Sequence, residues 1–249
     1  MQKLFIVNPD YGMTEAAMEA RCALLRPYAG PDFELEMRCL EKTRVTLDSA
    51  LDAALAAPEI ISLVVDAAGR GAAAAVIYCF SDPALAACRE AVAIPVVGAG
   101  EAACLTARLI TRQAGLILAD SRRLPEKREF LRRSGFSSFI TAVAGLKERL
   151  ADPFCERERS LALLEEAGRA LVEASGVQAL ILGCLSFLGQ AGPLARRLGL
   201  PVVDPAAAAV SLAAGLARQG LRSSAAAYPA PPGGLSLGRL SVSCQDFRL

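Results

Sequence analysis

At 249 residues and 26.0 kDa the chain is long enough for one large domain or for two of about 100 to 130 residues, each with its own core. Its 27 basic and 26 acidic side chains leave a net charge of +1, no footprint for gripping a phosphate backbone, and its 53% apolar content contains no uninterrupted run of about 18 residues, so neither nucleic acid nor a membrane is an expected partner. The absence of histidine excludes a Ser-His-Asp triad, a Cys-His dyad and a histidine-ligated metal, leaving proton chemistry near neutral pH to Cys, Asp, Glu, Lys, Arg, Tyr or a cofactor.

Met1-Gln2-Lys3 runs straight into the strand-like LFIV, which leaves no room for a signal peptide, and a cytoplasmic setting is expected. Short β-like runs then alternate with helical patterns. The predicted strands are Leu4 to Val7, Phe33 to Cys39, Ala75 to Cys79, Pro95 to Val97, Leu116 to Ala119, Phe139 to Val143, Ala179 to Gly183 and Pro201 to Val203. Helices are expected from Thr14, Ser49, Pro83, Glu101, Leu124, Pro153, Gly192 and Ala206, with terminating glycines at Gly30, Gly69 or Gly71, Gly115, Gly135, Gly199 and Gly220. SSAAAYPAPPGG breaks regular structure, and the last fifteen residues read as a short edge strand or a loose tail.

Self-comparison organises these elements. The segment VIYCFSDPALAACREAVAIPVVGAGEAACLTARL resembles LILGCLSFLGQAGPLARRLGLPVVDPAAAAVSLAAGL, each reading strand, Cys, polar loop, helix, PVV strand and Ala-rich helix. Cys79 precedes Pro95 by 16 positions and Cys184 precedes Pro201 by 17. The expected fold class is therefore α/β, with two similar Rossmann-like domains of four parallel strands related by a pseudo-two-fold axis and an active site in the cleft between them. The expected division is 1–106 plus 205–249 for the first domain and 107–204 for the second.

The eight cysteines contain no CxxC pair, which fits reduced thiols and no metal site. Cys22, Cys88 and Cys104 fall on helical patterns and read as core filler, and Cys39, Cys155 and Cys244 have no symmetry partner. Cys79 and Cys184 differ by their matched places at strand ends, where a following helix N-terminus and backbone N–H groups favour a thiolate. One thiolate can take a proton from a carbon acid while the second thiol returns one to the opposite face, which is racemisation or epimerisation. Donors to the enolate are expected from the loop Phe80, Ser81 and Asp82 after the first cysteine and from Leu185 and Ser186 after the second, where Gly183 and Gly189 let the backbone approach closely. Asn8 offers an amide or ends a strand in an Asn-Pro turn, and Asp82 reads first as the cap of the helix that begins at Pro83. Thr14, Asp120, Ser121 and Asp204 are caps or cleft-facing polar groups. GAGEAA at Gly98 lacks the third glycine of a dinucleotide fingerprint.

CFSDPALAACREAVAIPVVGAGEAA is similar to a Cys-Phe-Gly-Asp-Pro-Gly, Arg-Glu, Pro-Val-Val-Gly, Glu-Ala-Ala stretch of the Asp/Glu/hydantoin racemase superfamily, in its hydantoin and allantoin racemase branch. ALILGC with PVVDPAAAAV resembles that branch's second-cysteine strand, and GLRSSAAAYPAP resembles its closing pattern. The resemblance implies two Rossmann-like domains, homo-oligomers, no cofactor, a two-base mechanism carried by Cys79 and Cys184, and small-molecule substrates of the 5-substituted hydantoin or allantoin type. The chain departs from the branch in having Asp10-Tyr11 after Asn8-Pro9, Ala119-Asp120-Ser121 at the opening of its second domain, and Leu185-Ser186-Phe187 after the second cysteine. If Asp10 and Asp120 both face a ligand, anionic substrates are disfavoured. A superfamily decarboxylase, a cis-trans isomerase and a catalytically altered ligand-binding homologue are the competing expectations.

Overall fold

A computed structural model describes residues 1–230. They form eight strands and eight α-helices in two compact units, Met1–Gly98 resumed from Ala209, and Ala99–Ala208. The first unit carries β1 (Gln2–Tyr11), α1 (Glu15–Ala29), β2 (Phe33–Leu40), α2 (Ala50–Gly69), β3 (Ala74–Ile77), α3 (Leu85–Ala91) and β4 (Val96–Gly98). The second carries α4 (Ala99–Ile110), β5 (Ala114–Leu118), α5 (Leu124–Arg133), β6 (Ile140–Gly145), α6 (Arg157–Ser175), β7 (Ala179–Leu182), α7 (Ala191–Leu198) and β8 (Val202–Val203), after which α8 (Pro205–Arg218) leads back to the first. Single 3-10 turns stand at Ser121–Arg123 and Leu185–Phe187.

All pairings are parallel and the two sheets have one topology, β2-β1-β3-β4 and β6-β5-β7-β8. The two central strands of each sheet are covered on both faces, which is why β3, β5 and β7 read as continuous apolar runs without alternation. In the first unit Phe5, Val7, Ile77 and Val96 pack with Ile60 and Val64 of α2; in the second, Ile117, Leu180 and Leu182 pack with Leu164 and Leu171 of α6 and Leu194 of α7. Each such large aliphatic chain, removed from water, contributes roughly 1.5–3 kcal/mol.

Polar side chains fix the element ends. The Thr14 hydroxyl accepts the Ala17 N–H at 3.2 Å to start α1, and Ser49 exchanges two hydrogen bonds with Asp52 to start α2. The Arg218 fork at the end of α8 holds the Asp32 carboxylate and the Ala29 carbonyl at the α1–β2 turn.

Some local expectations are corrected. Gly115 does not terminate a helix: α4 ends at Ile110, and Gly115 lies inside β5, where a Cβ would meet Leu180 Cδ2 at 3.0 Å and Val177 Cγ2 at 3.3 Å. Asp82 does not cap α3, whose N-cap residue is Ala84 without a side-chain hydrogen bond; the Cys79 loop takes two extra residues before the helix begins. β1 runs on to Tyr11 through an irregularity after Asn8. Gly176, the left-handed cap of α6, escaped the glycine reading. The tail expectation and Cys244 lie outside the described residues.

Candidate active site

In a parallel sheet of this order the chain leaves the first strand to one side and returns on the other, so a crevice opens past the carboxyl ends of the first and third strands. Cys79 and Cys184 occupy that place in their respective sheets. Val7 pairs with Ile77, two residues before Cys79, and Ile117 pairs with Leu182, two residues before Cys184. The linking residue also hydrogen bonds to the neighbouring strand in each case: the Tyr78 N–H donates to the Val7 carbonyl at 2.8 Å, and the Gly183 N–H to the Ile117 carbonyl at 2.6 Å. Gly183 is needed there, since a Cβ would fall 2.7 Å from both the Ile117 oxygen and Leu118 Cδ2.

Both cysteines open the same backbone turn. The Cys79 carbonyl accepts from the Asp82 N–H at 3.1 Å and the Cys184 carbonyl from the Phe187 N–H at 3.2 Å. Five residues past each cysteine the chain is left-handed, at Ala84 (φ 57°) and Gly189 (φ 81°), and Asp82 (φ 48°) shares that conformation. Two non-glycine residues with positive φ in one short loop constitute backbone strain beside a nucleophilic side chain, a combination that concentrates at working sites.

Exposure separates the cysteines as well. Cys79 and Cys184 are half-buried, whereas Cys22, Cys88 and Cys104 are buried on α1, α3 and α4, as filler requires. Burial pushes the Cys22 thiol up to about 11, with help from the nearby Glu19 charge, and the Cys88 thiol up to about 12. Neither is a usable base near neutrality. Cys39 is buried with its sulfur 3.5 Å from the Met13 carbonyl, and Cys155 is exposed.

The other candidates fall into two groups. Ser81 and Ser186 are half-buried on the two turns, while the side chains of Phe80 and Leu185 are buried, so those two residues offer backbone and shape rather than a polar side chain. Asn8 is 2% exposed within β1, just before its irregularity, and its amide donates to the Met13 sulfur at 3.3 Å. Asp10 accepts the Leu47 N–H at 3.1 Å, pinning the segment after β2; desolvation is the leading influence on it and raises its carboxyl above the usual range. In the second unit Asp120 accepts the Arg122 N–H at 2.9 Å as cap of the 3-10 turn, while exposed Ser121 packs against Gly145 at the end of β6.

Asp120 is not an isolated anion. The Arg122 guanidinium lies 2.5 Å away and Arg149 3.8 Å away, and hydrogen bonding from Arg122 holds its carboxyl below the ordinary value. Two guanidinium groups thus face this one carboxylate and offset its charge. Arg149 was missed in the sequence because it comes from the segment after β6, and nothing in its spacing links it to Asp120. Arg157 escaped for the same reason: it donates to the Leu188 carbonyl in the Cys184 loop at 3.3 Å, while its own carbonyl accepts from the Gln190 amide at 3.2 Å. Among the described residues no group of three or more Cys, Asp or Glu side chains is placed to hold a metal, and no helix is long and apolar enough to cross a membrane.

This arrangement, two matched thiols at the switch points of two like sheets, coincides with a family model. The Asp/Glu/Hydantoin racemase model matches residues 4–213. The chain belongs to that family. A hydantoin racemase of Paenarthrobacter aurescens is 31% identical over 237 residues, covering 90% of this chain and 94% of its own. The allantoin racemase from Klebsiella pneumoniae superposes with a TM-score of 0.84 at 26% identity, covering 93% of this chain and 94% of its own. Arylmalonate decarboxylase, at 20% identity and a TM-score of 0.61 over 96% of this chain and 100% of its own, shares the fold. As a member of this family the protein is an enzyme of the Asp/Glu/hydantoin racemase superfamily.

Proposed function

We propose that the protein racemises a carbon acid of the cyclic ureide class, a 5-substituted hydantoin or allantoin, by proton transfer between Cys79 and Cys184. The observation that carries this reading is the equivalence of the two thiols: each lies two residues past the third strand of its sheet, opens an i to i+3 turn, and is half-buried. The likeness to a hydantoin racemase and an allantoin racemase supports the substrate class.

The chemistry balances without an added group. One thiolate removes the ring C–H proton, and the electron pair passes into the adjacent carbonyl as an enolate. The other thiol then protonates the carbon from the opposite face and becomes the thiolate for the reverse direction. Turn N–H groups, with the hydroxyls of Ser81 and Ser186, are the donors to the enolate oxygen; such donors act where charge develops and contribute several kcal/mol in sites of this kind. The reading requires both sulfurs to reach one carbon, each near 3.5 Å, hence a separation of roughly 7 to 8 Å in the liganded enzyme.

Single enantiomers of several hydantoins and of allantoin, incubated with enzyme in D₂O, test the reading. Racemisation with deuterium incorporation is expected, falling by about 10²- to 10⁴-fold in Cys79→Ser and in Cys184→Ser. Exchange that survives both substitutions overturns the two-thiol mechanism. Carbon dioxide release from a malonate in place of exchange transfers the protein to the decarboxylases.

A further inference from the structure

Each unit joins its cysteine loop to the end of the following strand with one carboxylate and one glycine, and the two units place them the opposite way round. In the second unit the carboxylate belongs to the strand end: Asp204, just past β8, accepts the Gly189 N–H through Oδ2 at 2.9 Å and the Ala206 and Ala207 N–H groups through Oδ1 at 3.0 and 3.3 Å. In the first unit the position matching Asp204, after Pro95-Val96-Val97, is Gly98, and the carboxylate comes from the loop. Asp82 lies so closely over Gly98 that a Cβ there would stand within 2.7 Å of its Cγ, Oδ1 and Oδ2. The residue in the register of Gly189, five past the cysteine, is Ala84, in the same left-handed conformation.

Helix capping alone does not account for this. A cap on α8 uses one oxygen of Asp204, yet the other reaches back fifteen residues to the loop. Asp82 is not the N-cap residue of α3, which is Ala84; what it gives the start of that helix is its backbone carbonyl, which accepts the Leu85 N–H at 3.3 Å. What the two units share is one carboxylate filling the space between a cysteine turn and a strand end, supplied from either side. Asp82 is also the residue whose N–H closes the Cys79 turn.

We propose that Asp82 and Asp204 are equivalent positioning residues, each fixing the turn that carries its own cysteine, Asp82 for Cys79 and Asp204 for Cys184. The assignment rests on the reading of these cysteines as the proton carriers, and its test is built on thiol reactivity so that the two can fail separately.

Iodoacetamide alkylation of each cysteine, followed peptide by peptide by mass spectrometry across a pH series, reads the environment of one thiol at a time. Asp204→Asn keeps an oxygen for the α8 N–H groups and turns an amide NH₂ toward the Gly189 N–H, so it breaks the loop joint and spares the cap. It is expected to change the Cys184 rate by about tenfold and to displace its pH profile, with Cys79 and Cys155 within about twofold of the parent. Asp82→Asn is expected to do the reverse. The pair Asp82→Gly with Gly98→Asp moves the first unit's carboxylate from the loop to the strand end, where the second unit carries Asp204, and is expected to recover the Cys79 profile that Asp82→Gly alone loses. The proposal is overturned by thiol profiles that ignore their own aspartate, by a uniform change at every cysteine, or by a double variant no better than the single one. Thiol profiles that respond as expected in a protein that exchanges no carbon acid uphold the positioning and sink the racemase reading.

Discussion

In the first unit Cys79 is followed by Phe80-Ser81-Asp82-Pro83-Ala84, in the second Cys184 by Leu185-Ser186-Phe187-Leu188-Gly189. The backbones agree where the chemistry needs agreement: a cysteine beyond the third strand, a turn closed three residues on, and a left-handed residue at the fifth place. The supports disagree almost everywhere else. The strand-to-cysteine link is Tyr78 in one unit and a sterically obligatory Gly183 in the other, and in the second unit Arg157 holds the loop carbonyl of Leu188. Equivalence is kept at the thiols and relaxed in the scaffold, as expected if two bases must act alike on one carbon while their loops answer to different neighbours.

The largest effect that could break this comparison is at the cysteines themselves. Equal losses of racemisation in Cys79→Ser and Cys184→Ser, each of about 10²-fold or more by chiral chromatography, fit two interchangeable bases. A variant that loses less than about tenfold while the other is dead shows that one cysteine only supports the other. Next comes Gly183→Ala. Its Cβ would strike a backbone oxygen and Leu118, and overpacking of this kind costs about 1–3 kcal/mol, readable as a lower urea midpoint with unchanged m-value. Tyr78→Phe, at the matching position of the first unit, is expected to change stability by less than this; a larger loss than Gly183→Ala undoes the assigned match.

These asymmetries mark the limit of what the sequence discloses. The sheets were legible because strands buried on both faces must be written as apolar runs, and the paired thiols were legible because a repeat puts Cys79 and Cys184 in register. Asp204 could be narrowed to a cap or a ligand group, and its hydrogen bonds to Ala206 and Ala207 establish the cap. The reach of Asp204 to Gly189, of Arg149 to Asp120 and of Asp82 to Gly98 was not legible, since each depends on where a loop closes in space. Gly115 misled for a related reason: a glycine demanded by packing against Leu180 and Val177 looks, in sequence, like one demanded by a positive φ.

A smaller effect sharpens the comparison at the left-handed position. An L-residue there costs roughly 1–2 kcal/mol that glycine avoids, partly offset by glycine's greater freedom when unfolded. Ala84→Gly is therefore expected to stabilise the protein by up to about 1 kcal/mol, and Gly189→Ala to destabilise it by about the same, in urea unfolding. A loss of activity in Ala84→Gly despite the added stability would show that the strain at this turn serves the thiol beside it.

The smallest effect concerns two carboxylates of the second unit whose environments pull in opposite directions. Burial raises the Asp204 carboxyl above its ordinary 3.8, against the lowering influence of the Gly189, Ala207 and Ala206 N–H groups. Its native form holds a proton more tightly than the unfolded chain does, so its contribution is complete below 3.8 and is lost as pH rises through the native value. Asp120 behaves in the reverse sense: Arg122 lowers its carboxyl, so its contribution is present above 3.8 and disappears as pH falls through the native value. Because Arg122 is well exposed, solvent screening keeps the Asp120 contribution under about 1 kcal/mol. Urea unfolding of Asp204→Asn and Asp120→Asn beside the parent, from about pH 3 to pH 6, should give difference curves of opposite slope. The parent's advantage over Asp204→Asn shrinks with rising pH and its advantage over Asp120→Asn grows. Two slopes of the same sign would mean that Asp204 is ionised at no cost, and that the joint it makes with Gly189 is stronger than its burial suggests.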